Sequence, residues 1–185
     1  MRDAPVEAGS TQQRQSTRFL LLYALAVAGG AVAYVPFLTI LLPMQVEAQA
    51  GGVSVSWLAY LAISGALAAS LANIAFGWLS DVTGNRRLWV LAGLVSSSLL
   101  LIALSHAEGL AMLVGLLMAW QLCLNMMLGP LMAWAGDVVP DNQKGLLGGL
   151  LAFAPAFGAL SGVLITIPGM AEPESRMVLV ALLVM

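Results

Sequence analysis

Gly77-Trp78-Leu79-Ser80-Asp81-Val82-Thr83-Gly84-Asn85-Arg86-Arg87 separates two long apolar runs. It gathers one acid and two arginines within seven residues, in a chain of which only 9% is charged. Charge is costly in hydrocarbon, so the stretch reads as a watery turn between two membrane helices. Gly77 lets another helix come close near the membrane surface. Asp81 falls where the second helix meets water, placed either to pair with an arginine or to cap the N-terminus of a neighbouring helix. Gly84 supplies the positive φ of a tight turn. Arg86 and Arg87 then anchor the third helix against anionic headgroups or carboxylates.

The flanking composition sets the class. Of 185 residues, 61% are hydrophobic, more than a soluble domain of this size can cover with polar surface. The expected fold is therefore an all-α membrane protein, a polytopic helical bundle. About 20 apolar residues cross a hydrocarbon core of about 30 Å, and five stretches qualify: 19–44, 53–79, 88–105, 109–136 and 145–170. A partial sixth, 177–185, would rise only about 14 Å as a helix, so the chain is expected to end inside an element. Residues 1–18 are polar, carry Arg2, Arg14 and Arg18, and lack the apolar core of a signal peptide.

Basic residues set the expected orientation. With the N-terminus inside, the inner segments hold Arg2, Arg14, Arg18, Arg86, Arg87 and Lys144, and the outer loops hold only Arg176. That bias predicts a cytoplasmic N-terminus. A net charge of −2 gives no sign of a nucleic-acid partner. Cys123 is the single cysteine, which excludes an internal disulfide and reads as a small buried hydrophobe. With one histidine as well, a membrane-embedded enzyme has few groups to work with; no catalytic residue, metal or cofactor is expected. His106 is placed in an outer loop, in water. Trp57 and Trp89 lie at span ends and read as interfacial anchors.

Gly-x-x-x-Asp-x-x-Gly-x-Arg-Arg, set between the second and third helices, resembles the signature loop of the major facilitator superfamily of transporters. Many members carry a basic residue where this chain has Val82. A second stretch, Gly136-Asp137-Val138-Val139-Pro140-Asp141-Asn142-Gln143-Lys144-Gly145, is similar to the family's loop between helices four and five. The resemblance implies that Asp137 pairs with Arg86 or Arg87 on the inner face; alternatively, Asp137 and Pro140 merely end one helix and start the next. It implies an N-terminal half truncated within its sixth helix, in a plasma (inner) membrane. It also implies solute transport by alternating access, with a second six-helix half as the required partner. A non-transporting truncated product, or a half that assembles with a partner half, is the alternative. On this reading Gly77, Asp81, Gly84, Arg86, Arg87 and Asp137 form the inner gate.

Other residues speak to a substrate path. No span has a charge in its central part, and the position that carries an arginine in many proton-coupled members is Met118 here. Tyr34, Gln121 and Asn125 are the candidate pocket lining, because Gln121 and Asn125 share a helix face at i, i+4; Trp120, Met126 and Met127 would add an adaptable apolar wall. Interhelical hydrogen bonding is the competing role for the two amides. Asn73 lies nearer the inner end. Ala154-Pro155-Ala156-Phe157-Gly158 partly matches an element of drug–proton antiporters, and Pro155 is expected to kink the fifth helix. Gly29, Gly30, Gly65, Gly148, Gly149, Gly158 and Gly162 are expected to let helices pack closely.

Overall fold

The computed structural model describes residues 14–50, 53–167 and 176–184. All regular structure among them is helical: α1 Thr17–Pro36, a π-helical turn Phe37–Leu41, α2 Leu42–Ala50, α3 Ser54–Thr83, α4 Arg86–Leu104, α5 Leu110–Val138, α6 Asp141–Leu151, α7 Ala154–Thr166 and α8 Arg176–Val184. Five helical stretches are long and apolar enough to cross a membrane: Thr17–Ala50, Ser54–Thr83, Arg86–Leu104, Leu110–Val138 and Asp141–Thr166. The chain is consistent with a polytopic membrane protein. Residues 1–13 of the polar tail, 168–170 of the expected fifth span and Met185 lie outside the described residues.

Several spans run past the expected ends, for local reasons. Ser16 accepts a hydrogen bond from the Phe19 amide at 3.2 Å, so α1 starts ahead of its apolar run. After Met44 the helix continues to Ala50 through Gln45, Glu47 and Gln49, good helix formers once outside lipid. Helix α3 reaches Thr83 because Asp81 belongs to its last turn; the stop is Gly84, at φ 64°. Arg86 opens α4 because the Asn85 side chain caps it, accepting from the Leu88 amide at 3.2 Å. Asn85, not Asp81, is therefore the cap of α4, and Asp81 takes the ion-pair role instead. The fifth span is interrupted at Ala152 and Phe153, and Pro155 stands in the first turn of α7, where its missing N–H costs nothing.

Helix α5 is the centre of the bundle, with α3 on one flank and α4 on the other; α1 packs mainly on α7, and α8 lies against α1 and α4. Trp120 is fully buried and meets Phe37 edge-on, with ring centroids 4.7 Å apart. The outward face is apolar: Ile63, Leu67, Leu71, Ile74 and Trp78 on α3 are each more than 60% exposed. A ridge of that kind suits lipid and would be a liability in water.

Close helix contacts rest on a partly different set of glycines than expected. A methyl on Gly158 would lie 2.7 Å from the Ala31 carbonyl oxygen, one on Gly129 2.7 Å from that of Asn73, and one on Gly93 would strike the backbone of Met127. Gly29, Gly77, Gly148 and Gly149 face open space. Gly77 is thus approached rather than approaching: the added methyl on Gly129 would lie 3.2 Å from the Gly77 amide nitrogen. Tyr23 ties α1 to α5, its hydroxyl donating to the Leu131 carbonyl at 2.7 Å. Tyr23→Phe is expected to lower stability by about 1 kcal/mol, read as a lower unfolding midpoint in detergent; no change would show that the bond contributes nothing net.

Candidate functional site

Three helix ends meet at the charged turn. Asp81 is in the last turn of α3, Arg86 is the first residue of α4, and Asp137 is in the last turn of α5. Nη2 of Arg86 contacts Oδ1 of Asp81 at 2.6 Å and Oδ2 of Asp137 at 2.7 Å. One guanidinium nitrogen therefore joins all three helices. The other terminal nitrogen, Nη1, is buried and has no hydrogen-bond partner among the described residues. Arg87 is exposed and makes no ion pair among the described residues. Of the two arginines that could have met Asp137, the structure selects Arg86.

Burial decides how firm this junction is. The Arg86 side chain is 20% exposed, but Asp81 and Asp137 are 53% and 56% exposed. Ion pairs with that much solvent contribute little net stability, so the cluster can open at low cost. Around it the turn is fixed by other means. The Trp89 indole N–H donates to the Thr83 hydroxyl at 2.8 Å across Gly84. Pro140 caps α6 in extended conformation, so the helix-ending role and the ion-pair role are both present in residues 137–140.

A clasp beside this end was not read from the sequence. The Gln15 amide donates to Oε1 of Gln143 at 2.7 Å, and Nε2 of Gln143 donates back to the Gln15 carbonyl at 2.9 Å. Nε2 of Gln15 also donates to the Val138 carbonyl at 2.8 Å. The sequence carries no signal for it: two glutamines 128 positions apart meet only through tertiary packing.

The second candidate region is a groove of about 570 Å³ between α3, α5 and the first span, to which the end of α1, the π-helical turn and the start of α2 contribute. Tyr34, Gln121 and Asn125 all line it, among apolar neighbours such as Leu38, Leu61, Leu124 and Leu128. Trp120 does not line it; it points into the core with Phe37, and Leu124 and Leu128 take the wall position expected of Trp120, Met126 and Met127. Asn125 is committed at both ends of its amide: Oδ1 accepts from Nδ2 of Asn73 at 3.3 Å, and Nδ2 donates to the Gln121 carbonyl at 2.9 Å. Asn73 is thus a tether for Asn125 and is not itself among the residues lining the groove.

Other expected positions are quickly placed. His106 is exposed, Cys123 is half-buried instead of fully buried, and the indole of Trp57 lies edge-on to Tyr60. Among the described residues, no three His, Cys, Asp or Glu side chains group to hold a metal ion. Comparison with known proteins gives no matching family, no similar curated protein and no similar solved structure.

Proposed function

We propose that the chain is the N-terminal half of a secondary transporter of the major facilitator type, carrying a small solute by alternating access. It would lie in a plasma (inner) membrane with the N-terminus in the cytoplasm, and a complementary six-helix half would complete the path. One observation carries the reading: Arg86 joins Asp81 and Asp137 at the ends of α3, α4 and α5, the pairing that the loop's resemblance implies. A latch of half-exposed ion pairs suits a gate, which must close specifically and release cheaply. The uncharged groove between the first span, α3 and α5 supplies a place for solute.

The test is solute flux in proteoliposomes, over a panel of neutral, anionic and cationic solutes, with the chain alone and with a complementary half supplied in trans. Flux of at least one class is expected, with Asp81→Asn and Arg86→Ala each lowering its initial rate about tenfold or more at equal membrane insertion. Unchanged rates in both variants, or no flux for any class in either arrangement, would remove the reading.

A further inference from the structure

The groove between the first span, α3 and α5 holds polar groups of two kinds. Asn125 is held by protein at both ends of its amide, accepting from Asn73 and donating to the Gln121 carbonyl. The Gln121 carboxamide is not: it makes no hydrogen bond among the described residues, although the residue is only 7% exposed. The Tyr34 hydroxyl, lining the same groove, likewise has no partner among the described residues. The carboxamide is not among the buried, unpaired groups and so opens onto the groove; a solute that fills the groove must replace the hydrogen bonds water would make there. Apart from Tyr34, Asn125 and Gln121 itself, the lining is leucine, alanine and Pro43, with no charged side chain. An ion entering would find no countercharge, and a pure hydrocarbon would leave the amide unpaired.

We propose that this groove binds an uncharged solute with an apolar body and adjacent hydrogen-bond donor and acceptor groups, such as a primary amide, and that Gln121 determines this specificity. The carboxamide offers one acceptor and two donor hydrogens, so it pairs with a group that presents both. Asn125 acts as a positioning residue, tying the Gln121 backbone to α3 through Asn73. Gly65 leaves room for the amide: a methyl there would lie 3.3 Å from Nε2 of Gln121. The transport reading gives this site its purpose, but its binding chemistry can be measured separately.

Four probes of one shape separate the possibilities: benzamide, toluene, benzoate and benzylammonium, titrated by ligand-observed NMR against the full chain in lipid nanodiscs. Benzamide is expected to bind about tenfold more tightly than either ion, and Gln121→Leu to weaken benzamide about five- to tenfold while leaving toluene unchanged. Gln121→Glu keeps the side-chain volume and is expected to raise the relative affinity for benzylammonium. Equal binding of benzoate or benzylammonium and benzamide by the native chain would overturn the proposal. So would benzamide affinity insensitive to both Gln121 variants. Selective binding without flux in proteoliposomes would remove the transport reading and leave the site standing; flux with no dependence on Gln121 would do the reverse.

Discussion

Gly93→Ala is expected to lower the unfolding midpoint in detergent more than a methyl added at any glycine that faces open space, by an amount equivalent to about 1–3 kcal/mol or more. The added carbon would meet backbone atoms of Cys123, Met126 and Met127 on α5. Backbone cannot rotate away as a side-chain tip can, so α4 and α5 must separate. That pair is among the most extensively packed in the bundle, and displacing α4 also moves Arg86 at its first turn. The matched control is Gly149→Ala, where nothing lies within 4 Å. There the substitution should leave the midpoint unchanged or raise it, since alanine is the better helix former by about 1 kcal/mol. Equal midpoints for the two variants would show that α4 and α5 are not held at this spacing.

On the proposed transport reading, Arg86→Ala is expected to lower flux more than stability, and its stability cost to be partly repaired by removing a second charge. Loss of the guanidinium leaves Asp81 and Asp137, both carboxylates that had touched one nitrogen atom, facing each other across the turn. Because both are more than half exposed, water screens much of their repulsion, and the stability cost should stay at about 1 kcal/mol. Asp137→Asn in the Arg86→Ala background should recover part of that loss by removing one of the like charges. Flux should not recover, since the link between α3, α4 and α5 is still missing. A double-mutant cycle on unfolding midpoint, run beside initial flux rates, separates the two effects. No recovery of the midpoint would mean that the acids do not interact once the arginine is gone.

Much of the architecture could be read from residue order alone because hydrocarbon permits so few backbone solutions. Five apolar runs become five helices long and apolar enough to span. Their ends were harder to read. A cut at Leu79 or Met44 follows polarity, whereas α3 runs on to a stop set by backbone geometry at Gly84, and α2 carries the first span through its glutamines to Ala50. Side-chain roles divided in the same way. Gln121 and Asn125 share a helix face by spacing, yet only packing shows that Asn73 occupies Asn125 and leaves Gln121 for the groove. Arg86 and Arg87 are equivalent in sequence; the start of α4 turns one toward the acids and the other to the surface. Glycines gave the least. Gly93 and Gly149 look alike in a string of letters, and only the neighbour opposite each one distinguishes a contact from an exposed notch.

The π-helical turn at Phe37–Leu41 sets where the first span can gain or lose length. Such a turn holds one more residue than the α-helical turn it replaces; here it is closed by the bond from the Leu42 amide to the Phe37 carbonyl. Excising one residue within it would let the ladder close as ordinary α-helix while both flanks kept their angular phase. Tyr34 would still line the groove, and Gln45 and Gln49 would still reach the Leu104 and Ala107 carbonyls, which they now meet at 3.0 and 3.1 Å. The same deletion in a purely α-helical part of Thr17–Ala50 would turn one flank against the other by about 100°. Relatives that differ by a single residue in this span could therefore share both faces, provided that the insertion or deletion falls between Pro36 and Leu42.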